Sequence, residues 1–215
     1  MEEYYRRRAE EYEEIYHRDD PVRLEELNRM AKTLKETLKG KRVLEIACGT
    51  GYWTQILSET AQSIIAIDIA QEMLKIAKRK HYECPVSFSK EDAYHLSFEG
   101  SSFNGGLTNF WFSHIPKDRI GSFLQGFHRI LQSRSRVFMA DNVYIPGVGG
   151  TLMVKKEEED MYKLRRLKDG SEHLVLKNYF SIEELMEIFS KYDNEFCRDN
   201  VFYGKCFWYL FYEVR

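Results

Sequence analysis

The 215-residue sequence is poor in cysteine, proline and glycine and has no long apolar run. Its four cysteines (Cys48, Cys84, Cys197, Cys206) lie far apart and form no Cys-x-x-Cys, so a disulfide framework or a structural zinc site has little support. Four prolines and 13 glycines are too scattered to mark a linker. One domain over 1–215 is therefore expected, with an acidic, Tyr-rich helical arm at 1–20 and an insertion at 143–178 that reads as a lid. No apolar run approaches the roughly 18 residues of a membrane span. The first residues are charged and lack the apolar stretch of a secretory leader, so a cytoplasmic protein with no membrane partner is expected. A basic excess is absent too. Lys plus Arg number 32 against 34 Asp plus Glu, a net charge of −2, which disfavours nucleic acid as the main partner. No histidine pair has metal-ligand spacing with a third partner, so no metal is expected.

What is present reads as alternating strands and helices. Asp20-Pro21 starts a helix by side-chain capping and a pre-set first turn, and Leu24, Leu27, Met30, Leu34 and Leu38 keep helical spacing up to Gly40. Short β-branched or apolar runs at 42–47, 63–68, 85–89, 103–109 and 136–140 alternate with helical segments at 52–60, 71–80 and 117–131. Lys155–Asp160 reads as a solvated helix start, and 162–167 with 172–177 as a β-hairpin. Ser181-x-x-Glu184 is a capping box that opens a last helix. Two aromatic strands, 196–203 and 206–214, flank Gly204-Lys205 as a hairpin whose second strand should be interior. The pattern implies an α/β fold on a mostly parallel, doubly wound sheet.

The chemistry concentrates at Val43-Leu44-Glu45-Ile46-Ala47-Cys48-Gly49-Thr50-Gly51. A strand ends in a Gly-x-Gly turn and a helix begins, and glycines let a ligand approach the backbone. The next strand ends on Asp68, near the spacing at which an acid meets a ribose hydroxyl. The third glycine of a dinucleotide fingerprint is replaced by Thr54, preceded by Trp53, which argues against a pyrophosphate cradle. A carboxylate at Glu45 could reach the turn's own amides or a cationic ligand.

Glu45-x-Ala47-Cys48-Gly49-Thr50-Gly51 resembles the first motif of the class I S-adenosylmethionine-dependent methyltransferases, and the resemblance runs from about Tyr4 to Glu213. It implies a seven-stranded Rossmann-like sheet of order 3-2-1-4-5-7-6 with an antiparallel last strand. It implies S-adenosylmethionine as cofactor, held by Glu45, Ala47, Gly49, Thr50, Gly51, Asp68, Ile69 and Met73. Asp92 and Ala93 match the adenine motif, and Asn109 and Phe110 the segment beside the methyl sulfonium. Tyr4 or Tyr5 of the arm is expected near the cofactor carboxylate. Ala47 replaces a glycine, and Asn104 replaces an aspartate and reads as structural. The implied activity is methyl transfer to an oxygen or nitrogen of a small molecule. His114 is the candidate base, unless it only caps the helix at Lys117 or packs beside Pro116. Trp111, Tyr144, Tyr162 and Arg165 are candidate acceptor contacts. Arg165, Arg166 and Lys168 would favour an acidic substrate or merely form the polar face of a lid. A nicotinamide-dependent oxidoreductase and a non-catalytic cofactor-binding subunit are the alternatives, and the oligomeric state is open.

Overall fold

A computed structural model describes residues 2–156 and 158–215. The chain runs α1 (Glu2–Arg8), a 3-10 segment (Ala9–Tyr16), α2 (Pro21–Thr37), β1 (Arg42–Ile46), α3 (Tyr52–Ser58), β2 (Ser63–Asp68), α4 (Gln71–Ala77) and β3 (Val86–Lys90). It continues through β4 (Phe103–Asn109), α5 (Ile120–Arg129), β5 (Leu131–Asn142), β6 (Thr151–Val154), β7 (Met161–Arg166) and β8 (Glu172–Leu176). It closes with α6 (Ile182–Phe189), β9 (Val201–Tyr203) and β10 (Phe207–Glu213). The main sheet has the order β3-β2-β1-β4-β5-β10-β9, the expected 3-2-1-4-5-7-6 once β9 and β10 are counted as its sixth and seventh strands. β10 runs antiparallel between β5 and β9, and is therefore interior, as its two apolar faces required.

Side chains alternate along each strand, and the two faces bury separate cores. Leu44, Ile46, Val137, Met139 and Trp208 pack against α5 and α6, with Phe123, Phe127 and Phe189. Val43, Ile64, Ala66, Phe138 and Tyr209 pack against α2 and α3. Met30, Leu34 and Leu38 of the α2 segment are fully buried there, each worth about 1.5–3 kcal/mol. Asp20 caps α2 through Arg23 N, and Ser181 and Glu184 form their capping box on α6. Gly106 lets α5 approach β4, since a Cβ there would stand 2.5 Å from the Phe127 ring. Asn104 Oδ1 accepts from Arg42 N at 2.7 Å, the structural task read for it.

Several expectations change. The arm is α-helical only to Arg8 and then winds as 3-10 helix to Tyr16. Lys155–Asp160 holds no helix among its described residues, because the charged run has no apolar stripe to bury. Thr151–Val154, unread in the sequence, pairs with β7, so the expected hairpin is a three-stranded antiparallel sheet, β6-β7-β8. The segment 117–119 is a 3-10 turn ahead of α5, β5 begins already at Leu131, and 196–200 lies outside β9. Cys48 and Cys206 are buried, Cys84 is half-buried and Cys197 is exposed. Among the described residues no helix is long and apolar enough to cross a membrane.

Candidate active site

β1, β2 and β4 end at one rim, where a cavity of about 330 Å³ opens. Such a rim is where open α/β sheets bind ligands. The turn after β1 places Ala47, Gly49 and Gly51 at positive φ (55°, 56° and 78°). At Gly51 a Cβ would stand 2.5 Å from the Tyr82 hydroxyl and 3.0 Å from Ala77 Cβ, so that glycine serves contact between the turn and α4. Gly49 N donates to Asp68 Oδ2 at 2.9 Å, and Ala70 N donates to Oδ1 at 2.8 Å. The first turn and the end of β2 are thus tied through one carboxylate, which lines the cavity beside Met73 and Ile69.

Asp92, Ala93 and Tyr94 form another wall. Burial opposes ionisation of Asp92, but Tyr94 N and His95 outweigh it and hold the carboxyl below its usual value. The Arg119 guanidinium sits 3.8 Å over the Tyr94 ring, and both line the cavity. Asn109, Phe110 and Trp111 close the side under β4. Both amide atoms of Asn109 and the Trp111 indole N–H are buried without a partner among the described residues. Orphaned buried polar atoms at a cavity are costly, and a bound polar ligand would satisfy them.

The arm covers the opening. Tyr5 and Tyr12 line the cavity, and Tyr5, Tyr12 and Tyr16 follow one another edge to face at 6.2 and 6.3 Å. Tyr5 Oη lies 2.7 Å from His114 Nε2, while His114 Nδ1 lies 2.6 Å from the Leu176 carbonyl. A carbonyl only accepts, so Nδ1 carries the proton and Nε2 accepts from Tyr5. His114 is buried, which lowers its pKa to about 3 with help from nearby Lys177. The imidazole is neutral, and it clasps the arm to the last strand of the small sheet. It neither caps the helix at Lys117 nor stands free.

Behind His114 lies an ion pair that the sequence did not suggest. Lys177 Nζ donates to Asp141 Oδ1 at 2.7 Å and to Ser113 Oγ at 2.6 Å, while Ser113 N donates to Asp141 Oδ2 at 2.9 Å. Burial opposes ionisation of Asp141, yet Lys177 and these bonds hold its carboxyl low. Both side chains are almost wholly buried.

Six expected residues lie off the cavity. Glu45 alternates onto the Val43 face of β1, because strand side chains have period two, and does not line the cavity. Burial pushes its carboxyl up to about 8, with the Thr54 hydroxyl opposing, and its Oε2 has no partner. Thr50 is buried and donates to Glu13 at 2.5 Å. Gly51 faces Tyr82 and Ala77 instead. Tyr144 packs on Tyr179, Tyr162 donates to Glu158, and Arg165 lines a second cavity beyond Tyr4. Tyr12, Tyr94 and Arg119 line the cavity as well, brought there by the folded chain.

This architecture, a 3-2-1-4-5-7-6 sheet with its cavity beyond β1, β2 and β4, is the class I methyltransferase fold. Residues 43–134 match a family model described as methyltransferase domain. Over those residues the chain is similar to that methyltransferase family. It is similar to a demethylmenaquinone methyltransferase of Lactococcus lactis, 31% identical over 140 residues, covering 61% of this chain and 53% of that one. The chain spans about half the length of that relative. An uncharacterized Methanocaldococcus jannaschii protein is 26% identical over 89% of this chain and 74% of its own. Among solved structures, DhpI in its SAH complex superposes with a TM-score of 0.75 at 24% identity, over 98% of this chain and 93% of that one. A Pyrococcus horikoshii protein superposes with a TM-score of 0.69 at 19% identity, over 93% and 98%.

Proposed function

We propose that this protein transfers the methyl group of S-adenosylmethionine to an oxygen or nitrogen of a small molecule. The observation that carries the reading is the braced Asp68 carboxylate beside the unsatisfied Asn109 amide, at one closed rim. A carboxylate fixed by two backbone amides is preorganised to accept from a ribose diol. Asn109 offers a donor and an acceptor to the amino-acid end of the cofactor. Ala47, Gly49 and Phe110 flank that end, Ile69 and Met73 flank the adenine, and Asp92 with Ala93 meets its edge. The relatives named for demethylmenaquinone support a small-molecule acceptor.

When bound, the cofactor supplies an electrophilic methyl on a sulfonium, so the protein's task is orientation and exclusion of water. Tyr5 and Tyr12 of the arm, with Trp111, close the site and hold the acceptor in line. His114 is a poor general base while its pKa stays near 3 and Tyr5 occupies Nε2. Its role is to latch the arm, and a proton from the acceptor leaves by water or with a substrate whose own pKa is low. Turnover of methyl-labelled S-adenosylmethionine against a panel of small hydroxyl, carboxyl and amino compounds tests this. Label transfer to one of them is expected. Transfer to none, by a protein that binds the cofactor, would leave a binding subunit instead.

A further inference from the structure

Between the arm and the small sheet lies a second cavity of about 670 Å³, separated from the first by Tyr4 and Tyr5. Its walls carry Arg8, Arg18, Arg23, Arg165, Arg166 and Lys168, in a chain whose net charge is −2. Two carboxylates share the lining, Glu11 and Glu14, and Lys168 already holds both, at 3.6 and 2.5 Å. Among the described residues, none of the five guanidinium groups lies within 4 Å of a carboxylate. Their partners are neutral. Arg8 lies 5.7 Å from the Tyr4 ring and 5.2 Å from the Tyr12 ring. Arg165 donates to the Tyr4 hydroxyl at 3.2 Å, and its Nε is buried with no partner. Arg23 donates to the Ile15 carbonyl and stacks over Phe207, and Arg166 donates to the Gly170 carbonyl.

Like charges facing one another across a partly desolvated gap repel, and the repulsion strengthens as water leaves. Arg8 and Arg18 come from the arm, and Arg165 and Arg166 from β7. An anion between them would offset that repulsion and draw the arm onto the small sheet. Guanidinium forks suit carboxylate and phosphoryl oxygens in particular. We infer that this basic cavity binds the anionic head group, carboxylate or phosphoryl, of the methyl acceptor, and that this binding seats the arm. The inference deepens the proposed methyl transfer by giving its acceptor a negative charge, and rests on that reading for the acceptor's role.

The test is calorimetric titration of the full chain with inorganic phosphate, and separately with acetate, at constant ionic strength in chloride. Wild type, Arg8→Gln and Arg165→Gln are compared with Arg136→Gln, which alters an ion pair with Glu213 on the main sheet. Thermal unfolding shows that each variant is folded. Saturable heat is expected in wild type and Arg136→Gln, and about tenfold weaker affinity in the other two. Phosphate but not acetate would mark a phosphoryl group, and both would mark oxyanions generally. Protection of residues 2–16 from amide exchange should rise with the anion. Absence of saturable heat, or equal affinity in all four proteins, overturns the inference. S-adenosylhomocysteine is titrated in parallel. Loss of its binding alone would strike the proposed methyl transfer and leave the anion site standing.

Discussion

The rim of the main sheet and the cover above it are held by different forces. The rim rests on strands buried on both faces, and its key acid is fixed by backbone amides. The cover is a short arm and a three-stranded sheet, whose apolar contact with the arm is a small cluster of Tyr4, Leu167 and Val175. Polar latches do the rest: Tyr5 to His114, Arg165 to Tyr4, Lys168 to Glu14. The difference matches the tasks. A cofactor cradle must be rigid, whereas a cover must open for ligands to pass, so it draws on the low-stability end of the structure.

The joint between the two regions should break most visibly. Lys177→Met leaves Asp141 charged and buried, which should cost about 3–5 kcal/mol in urea unfolding. Replacing Asp141 as well, with leucine, should restore much of that loss. Additive losses would show that the two residues do not act as a pair. On the cover alone, Tyr5→Phe removes the donor to a buried imidazole nitrogen, at about 1–3 kcal/mol. Because the arm can detach locally, the loss should appear as faster amide exchange in residues 2–16 more than as a lower global melting temperature. A fall confined to the global transition would mean the arm and the rim unfold together.

The rim supplies the smallest effect. The Glu45 carboxyl is raised from its ordinary 4.5 to about 8 in the folded protein. Its neutral form therefore adds stability that is complete below pH 4.5 and is lost as pH rises toward 8. Glu45→Gln does not ionise, so its unfolding free energy relative to wild type should climb across that window, by at least about 1 kcal/mol at pH 8. A pH-independent difference would contradict the burial of that carboxyl.

The rim was legible in the sequence because its signals are local. A strand, a Gly-x-Gly turn and a spaced acid lie within 42–68, and the capping residues Asp20 and Ser181 mark their helices unaided. Glu45 takes the Val43 face of β1, and a motif, which gives only an order of residues, says nothing of which strand face each one takes. The cover was legible only in outline. β6 is four residues behind a glycine run, with Val154 largely exposed, and it exists by pairing with β7. Lys177 meets Asp141 across 36 residues and Tyr5 meets His114 across 109, contacts that carry no sequence pattern. Glu26 is a similar case. Inside α2 it resembles a solvated charge, yet it accepts from the amides of Lys205, Cys206 and Phe207 and pins the final hairpin.

The central claim is that Asp68 grips an adenosine sugar at this rim, and calorimetry of S-adenosylhomocysteine tests it most directly. The wild-type chain should bind with one site per chain. Asp68→Ala should lose about 1.5–3 kcal/mol, a drop of about 10- to 150-fold, the worth of hydrogen bonds to a charged acceptor. Absence of binding to the intact chain, or undiminished affinity in a folded Asp68→Ala protein, would contradict the account.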